Sequence, residues 1–379
     1  MAPLLPGSRV GIIGGGQLGR MLALEARRLG YFTCVLDPDP RAPAAQVADL
    51  HLAGGLADPV AAAALARGVD VVTYEFENVD PNAVAAAETA RAVHPSGAVL
   101  RIAQHRLREK EAVIGLGIPV TPFAAVRSAS DLGAAIERVG LPAVLKTAAS
   151  GYDGKGQAVV RRWADAEAAC AALLSRCDTL IVEGLVDFEL ELSVVCARAA
   201  DGTTACYAPG ENRHSGGILD LTVAPARVPS VVAARAQDIA AVIATGLGVI
   251  GLLAVEMFLT RDGRLLVNEL APRPHNSGHH TLDACPTSQF EQLLRAICGL
   301  PLGATDLYAP AAMANLLGDL WSGVGQPDFP RALAVPGVRL HLYGKAEARP
   351  GRKMGHLCVV AGTAEEASER VLQARGRLR

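Results

Sequence analysis

Two acidic residues, Glu256 and Glu269, sit on runs that read as strands, Leu252 to Thr260 and Leu265 to Leu270, with Asp262-Gly263 between them. Asp-Gly between two such runs predicts a β-hairpin closed by a two-residue type I′ turn, because that turn needs φ > 0 at both central residues. Folded about this turn, Glu256 falls directly opposite Glu269. Opposed carboxylates on one sheet face repel, so the pair implies either solvation or a cation held between them. Their neighbours (Leu252, Leu253, Val255, Met257, Phe258, Leu266, Val267) leave little polar surface, which favours the cation. Carboxylate pairs hold Mg²⁺ together with substrate phosphates. A three- or five-residue loop would shift the register by one and weaken the pairing.

Other residues with chemical content gather at turns. Gly14-x-Gly16-x-x-Gly19 follows an apolar strand and opens a helix, as in a dinucleotide-binding turn, and Asp37 lies near the distance expected of a ribose-binding acid. Physically this is a helix N-terminus whose free N–H groups can meet an anion; tight strand-to-helix packing is the plainer explanation. Ser150-Gly151-Tyr152-Asp153-Gly154-Lys155-Gly156-Gln157 follows the strand that carries Lys146. Its glycines let the backbone approach a polyphosphate, and Lys146 and Lys155 add positive charge. No Gly-Lys-Ser/Thr occurs, so it is not a Walker loop. An ordinary hairpin or a surface lysine explains each feature alone, but not the combination.

Glu183 ends an apolar strand, and Glu191 follows after Gly184-Leu185. Main-chain groups at such a hinge can read a base while a carboxylate accepts ribose hydroxyls; either acid alone reads as surface charge. Arg273-Pro274-His275-Asn276-Ser277-Gly278-His279-His280 packs donors and a glycine into one loop. The i,i+4 spacing of His275 and His279 suggests a metal, but Pro274 and Gly278 oppose a regular helix, leaving an anion-binding or a capping loop. Arg349-Pro350-Gly351-Arg352-Lys353 is a basic turn, solvated by default or a phosphate or carboxylate clamp.

The scaffold for these residues begins as βαβ. Strands are expected at Arg9 to Ile13, Tyr31 to Leu36 and Val69 to Thr73, with a helix over Leu18 to Leu29, which implies a parallel sheet. One helix is expected over Arg101 to Leu116, broken by Gly117-Ile118-Pro119. Strands and turns then dominate: Val120 to Val126, Ala143 to Thr147, Thr179 to Glu183, Glu191 to Ala197, Thr203 to Tyr207, the hairpin, Val338 to Tyr343 and Leu357 to Val360. Helices are expected over Asp131 to Val139, Ala164 to Leu174, Val231 to Thr245 and Gln289 to Cys298. The 379 residues suggest two or three domains, and 50% hydrophobic with 20% charged residues indicate a folded chain. A net charge of -2 disfavours nucleic-acid binding. No apolar run is long enough to span a membrane, and Met1 to Pro6 lacks the features of a signal peptide. Eight cysteines without a C-x-x-C pair read as reduced cytoplasmic thiols.

Taken together, these motifs resemble the ATP-grasp superfamily and, within it, the branch that carboxylates aminoimidazole ribonucleotide in purine biosynthesis. The resemblance rests on Gly14-Gly15-Gly16-Gln17-Leu18-Gly19-Arg20-Met21, Tyr74-Glu75-Phe76-Glu77-Asn78, Gly151 to Gln157, Asn268 to His279 and Arg349 to His356, and runs over nearly the whole chain. It implies an α/β and α+β fold of three units: an N-terminal parallel-sheet α/β domain (residues 1–109), a central ATP-grasp domain (110–299) with a mobile lid (about 119–182), and a small β-rich C-terminal domain (300–379). The implied substrates are ATP, bicarbonate and the ribonucleotide, with Mg²⁺ on Glu256 and Glu269. ATP contacts would be Arg106, Lys146, Gly151, Tyr152, Asp153, Gly154, Lys155, Gly156, Gln157, Glu183, Gly184, Leu185, Val186, Glu191, His214, Asn268 and Glu269. The ribonucleotide would meet Gln17, Leu18, Glu75, Tyr152, Asp153, Arg273, His275, Asn276, Ser277, Arg352 and Lys353. Lys146, Asp153, Lys155, Arg273, His275 and Lys353 are the candidate catalytic residues. The family tendency is a homodimer. Two rival readings remain: a related ligase using another acid such as formate, and a NAD(P)-dependent dehydrogenase built on Gly14 to Gly19.

Overall fold

The computed structural model describes residues 2–149, 156–322 and 325–379. The expectations for Gly151, Tyr152, Asp153, Gly154 and Lys155 lie outside those residues. The chain opens with a four-stranded parallel sheet of β1 (Arg9–Ile13), β2 (Phe32–Asp37), β3 (Leu50–Ala53) and β4 (Val71–Tyr74), in the order β3-β2-β1-β4. Strand β1 is central, and its Val10, Ile12 and Ile13 are fully buried, as a strand covered on both faces by crossover helices requires. The helix Gln17–Arg28 crosses from β1 to β2. The single helix expected over Arg101 to Leu116 is two, Gly97–Ala103 and Arg106–Gly115. Tertiary bonds at the break explain the difference. His105 pairs with Ala149 as an isolated bridge, and Gln104 Nε2 donates to the carbonyls of Glu77 (2.7 Å) and Val79 (2.6 Å).

A second four-stranded sheet, antiparallel, joins β5 (Phe123–Val126), β6 (Ala143–Thr147), β7 (Gln157–Val160) and β8 (Leu180–Gly184) in the order β5-β8-β6-β7. Strand β5 begins three residues later than expected. Val120 instead bridges Val267 in a parallel sense, and the Val267 N–H donates to the Pro119 carbonyl at 3.0 Å. The segment leading into this unit is thus held by the hairpin that carries the paired acids.

The largest sheet, nine strands among the described residues, contains β9 (Phe188–Arg198), β10 (Thr204–Cys206), β11 (Gly210–Ser215), β12 (Ile218–Ala224), β13 (Gly251–Thr260), β14 (Leu265–Ala271), β15 (Ala311–Leu317), β16 (Val338–Leu342) and β17 (Lys353–Val360). Its path is β14-β13-β9-β11-β12-β15-β17-β16, with β10 on the side of β9. The three C-terminal strands therefore continue the central sheet through the β12–β15 ladder. Sequence patterning missed the β11–β12 hairpin because Glu211 to Ser215 is polar throughout. The final helix, Ala364–Gly376, packs Ala367, Val371 and Ala374 on β15 and β17.

Period-two alternation divides the core. Leu253, Val255 and Met257 of β13 face the helix Ser230–Gly246, whereas Leu252, Ala254 and Ala271 face the helix Gln289–Ile297. Side chains two apart share a face, so Glu256 and Glu269 project on the side of Ala254 and Ala271.

Candidate active site

Glu256 and Glu269 are direct register partners, but the local geometry differs from the expected two-residue turn. The Thr260 N–H donates to the Arg264 carbonyl at 2.9 Å, which leaves three residues in the loop, and Gly263 takes a left-handed conformation there, φ 80°. This loop puts the ladder one residue out of step, with Met257 opposite Val267 and Phe258 opposite Leu266. The step is recovered by an irregularity after Glu256 that leaves Asn268 as the extra residue, beyond which Glu256 meets Glu269. Bulges commonly re-aim side chains beside active sites. Here the bulge makes a facing pair of acids that the loop alone would have removed.

Burial, and next to it the facing Glu269, push the Glu256 carboxyl up to about 7. Behind the pair lies Glu109, whose Oε2 accepts the Leu270 N–H at 2.9 Å. Burial and the Glu269 charge push Glu109 up to about 8. His275 completes this corner. The Ser277 N–H points at its Nδ1 (3.4 Å), so Nε2 carries the proton and faces Glu256 Oε1 at 3.3 Å. Burial and the charges of Arg273 and Lys353 hold His275 well below the usual imidazole range, and therefore neutral. A cation would relieve the strain between the carboxylates, and their hard oxygen donors, with Asn268 beside them, fit Mg²⁺. Among the described residues no three His, Cys, Asp or Glu converge on a metal-binding geometry. Ligand oxygens would have to complete the coordination.

The expected nucleotide residues line one side. Lys146 Nζ donates to Glu183 Oε2 at 2.7 Å, and Lys110 Nζ lies 3.3 Å from Glu183 Oε1. Burial alone would raise the Glu183 carboxyl; the two ammonium groups outweigh it and hold it below the usual range. Lys110 also reaches the Asn268 carbonyl at 3.3 Å. Arg106 Nη1 donates to the Thr147 carbonyl at 3.3 Å, next to Lys146. Gln157 is paired with Lys146 across β6 and β7. Gly156 has φ 72°, and a Cβ there would come within 2.9 Å of Thr147 Oγ1. At the hinge, the Gly184 and Leu185 N–H groups already donate to the Pro122 and Pro142 carbonyls, so neither is available to a base. Glu191 accepts from His214 Nδ1 at 2.6 Å. Burial lowers the His214 ring, but this bond and the charge of Glu256 raise it overall.

The expected ribonucleotide residues occupy the other side. Arg273 Nε donates to Glu77, and its Nη1 donates to the Pro274 carbonyl at 3.0 Å. Asn276 is buried, yet neither its Nδ2 nor its Oδ1 has a partner within the protein; such orphaned groups are suited to meet a ligand or water. Ser277 Oγ bonds His275 Nδ1 at 2.8 Å. Lys353 opens β17, its carbonyl accepts Lys345 Nζ at 2.7 Å, and Arg352 Nη1 donates to the Glu347 carbonyl at 2.9 Å.

The glycine turn near the N-terminus is already engaged. Glu75 Oε1 accepts the Gly16 N–H (2.7 Å), Glu75 Oε2 accepts the Gly19 N–H (2.9 Å), and Asp37 accepts the Gly15 N–H (2.8 Å). The donors that would hold a pyrophosphate thus meet the chain's own carboxylates, which argues against the dehydrogenase reading. It also gives Glu75 a structural task, so that a ribonucleotide could use only its remaining lone pairs. The Leu18 side chain is buried with Val10, Ile12 and Val35 of the parallel sheet, so any contact there is limited to main chain beside Gln17. Sequence reasoning missed Glu77, Glu109, Lys110 and Lys345 as neighbours of the site. Lys110 carried no signal, because a helical lysine reads as surface charge until packing buries it.

Comparisons with known proteins agree with this geometry. The chain matches the ribonucleotide synthetase preATP-grasp domain over residues 8–104, the ATP-grasp domain over 111–290, and the phosphoribosylaminoimidazole carboxylase C-terminal domain over 311–370. It is 47% identical over 354 residues to the N5-carboxyaminoimidazole ribonucleotide synthase of Bacillus subtilis, covering 93% of this chain and 92% of the relative. The same enzyme of Pseudomonas aeruginosa is 44% identical, with 97% of each chain covered. An ADP complex of an N5-carboxyaminoimidazole ribonucleotide synthetase superposes with a TM-score of 0.93 at 44% identity, covering 99% of this chain and 98% of that one. The Aspergillus clavatus enzyme bound to ADP and 5-aminoimidazole ribonucleotide gives 0.90 at 34% identity, with 99% of each chain covered. The paired acids, the lysine-clamped Glu183 and the full-length similarity lead to one conclusion: this chain belongs to the N5-carboxyaminoimidazole ribonucleotide synthase family of ATP-grasp enzymes.

Proposed function

We infer that this chain is an ATP-dependent carboxylate–amine ligase that joins bicarbonate to 5-aminoimidazole ribonucleotide, releasing ADP and phosphate, in purine biosynthesis. The observation that carries the reading is the facing pair Glu256 and Glu269, re-registered by the Asn268 bulge and flanked by the Lys146–Glu183–Lys110 cluster on one side and the Arg273–Ser277 loop on the other. Mg²⁺ on the two carboxylates would neutralise charge on the ATP phosphates. Lys146 and Arg106 orient the same phosphates, and Glu191 with His214 holds the ribose. Bicarbonate oxygen attacks the γ-phosphorus, giving ADP and carboxyphosphate. The ribonucleotide amine then attacks the carboxyl carbon, phosphate leaves, and the amine loses a proton.

His275, neutral with its Nε2 proton toward Glu256, orients rather than accepts at that atom. Arg273, anchored by Glu77, and Lys353, anchored by Lys345, present positive charge where the phosphorylated carboxylate forms. Asn276 has an amide ready for the ribonucleotide. A reactive acyl phosphate requires that water be excluded until the amine has attacked. We assign the three units to residues 1–109, 110–299 and 300–379. The enzyme works in the cytoplasm as a homodimer.

Coupled ADP release tests the reading. Turnover should require the ribonucleotide and rise with added bicarbonate, and formate should not replace it. ADP release driven by formate would transfer the chain to the neighbouring transformylase reading.

A further inference from the structure

The two protein segments that meet the ribonucleotide in this reading come from distant parts of the largest sheet. The loop Arg273–Ser277 follows β14, and Lys353 opens β17, with five strands between them in the path. At ordinary strand spacing that separation would be roughly 29 Å on a flat sheet. Yet His279, just beyond the Arg273–Ser277 loop, lies 4.9 Å ring to ring from His356 of β17, so the sheet curls and the two segments approach. The ladder does not set their separation; side chains that span the concavity must.

A column of three imidazoles spans it. His279, four residues beyond His275, lies 4.9 Å from the ring of His356, and His356 stacks on His341 at 4.4 Å with the planes 9° apart. His356 is on β17, three residues after Lys353, and pairs with His341 across β16. Both ends are anchored. Gln289 Oε1 accepts the His275 N–H at 2.8 Å, while Gln289 Nε2 donates to the His275 carbonyl (2.8 Å) and to His279 Nδ1 (3.0 Å). At the far end His341 Nε2 donates to Asp283 at 2.8 Å, and Tyr343 Oη bonds His356 Nδ1 at 2.9 Å. Burial keeps His279 and His356 well below the usual imidazole range, so these two rings stack without charge repulsion.

We propose that His356 is a positioning residue for the ribonucleotide: wedged between His279 and His341, it sets the distance between Lys353 and the His275 loop. The inference rests on the ribonucleotide assignment made above. Removing the ring leaves the Lys146, Glu183, Glu191 and His214 contacts untouched, so its effect should fall on one substrate. In coupled ADP release, H356A should raise the KM for the ribonucleotide about 10–100-fold while the KM for ATP stays within about 2-fold. H356F, which keeps a flat ring in the column, should stay within about 3-fold of wild type for both. If H356A does not yield folded protein by circular dichroism, H341A removes the outer ring and carries the same expectation.

An unchanged ribonucleotide KM in H356A, an equal rise in both KM values, or H356F as impaired as H356A would each overturn the proposal. K353M separates this from failure of the underlying assignment. If K353M raises the ribonucleotide KM and H356A does not, the positioning role alone is wrong. If K353M leaves it unchanged, the assignment of the ribonucleotide to this side falls, and the positioning role with it.

Discussion

Replacing Glu256 with Gln should stabilise the metal-free protein and destroy its activity. The Glu256 carboxyl stands at about 7 against an ordinary 4.5, because it is buried and faces Glu269. A folded-state value above the unfolded one means that the folded protein binds the extra proton more tightly. Stability from this group is therefore complete below pH 4.5 and is lost as pH rises through 7. The shift corresponds to roughly 3 kcal/mol of penalty at pH 8. The side chain is 20% exposed, and solvent screening reduces the figure to about 1–2 kcal/mol. Gln is isosteric, and its Oε1 can still accept from His275 Nε2, so E256Q removes the penalty and little else.

In EDTA at pH 8, thermal melts of E256Q should lie about 1–3 °C above wild type for a chain of this size; at pH 4.5 the two should coincide. Mg²⁺ with ADP should reverse the order, because a ligand that binds only the folded state adds stability in proportion to its affinity. Coupled ADP release by E256Q should fall at least about 100-fold. A metal-free E256Q that melts below wild type at pH 8 would show that the carboxylates are not in conflict, and the argument for a cation between them would fail.

Three further expectations follow from the same geometry. E183A leaves the buried ammonium of Lys110 and that of Lys146 without their carboxylate and should cost about 3–5 kcal/mol by urea titration; a loss under about 1 kcal/mol would mean the cluster is well solvated. E75A uncovers the Gly16 and Gly19 N–H groups and should cost about 1–3 kcal/mol, with sulfate raising its melting temperature more than that of wild type; equal responses to sulfate would contradict the cap. Burial lowers His280 to about 4 from an ordinary 6.5, so the neutral ring's contribution is complete above pH 6.5 and declines as pH falls toward 4. The stability advantage of wild type over H280Q should therefore shrink by up to roughly 3 kcal/mol across that window, and a constant difference would rule the explanation out.

Much of this molecule could be read from short stretches of chain. The apolar run of β1 followed by Gly14 to Gly19, the Asp262-Gly263 hairpin, and the strands around Lys146 and Glu183 are local patterns, and local backbone preference with period-two or 3.6-residue burial is enough to produce them. So is the concentration of donors in Arg273 to His280. The facing of Glu256 and Glu269 was legible too, but for an incomplete reason: the expected turn is one residue too short, and the Asn268 bulge restores the register. A bulge depends on what the neighbouring strands and Lys110 demand of that backbone, and no short window contains this information.

The same holds for the partners that give the site its electrostatics. Glu75 and Asp37 reach the glycine turn from other strands of the first sheet, Lys110 is buried by a sheet far away in sequence, and His279 meets His356 only because the large sheet curls. Pairings between residues so far apart in the chain arise from packing, where a buried charge or donor must find whichever partner the fold brings near. The sequence by itself determined which chemistry was possible and which elements would carry it. Tertiary structure decided which carboxylate meets a lysine, which meets a helix N-terminus and which is left facing another acid, because only burial makes those differences costly.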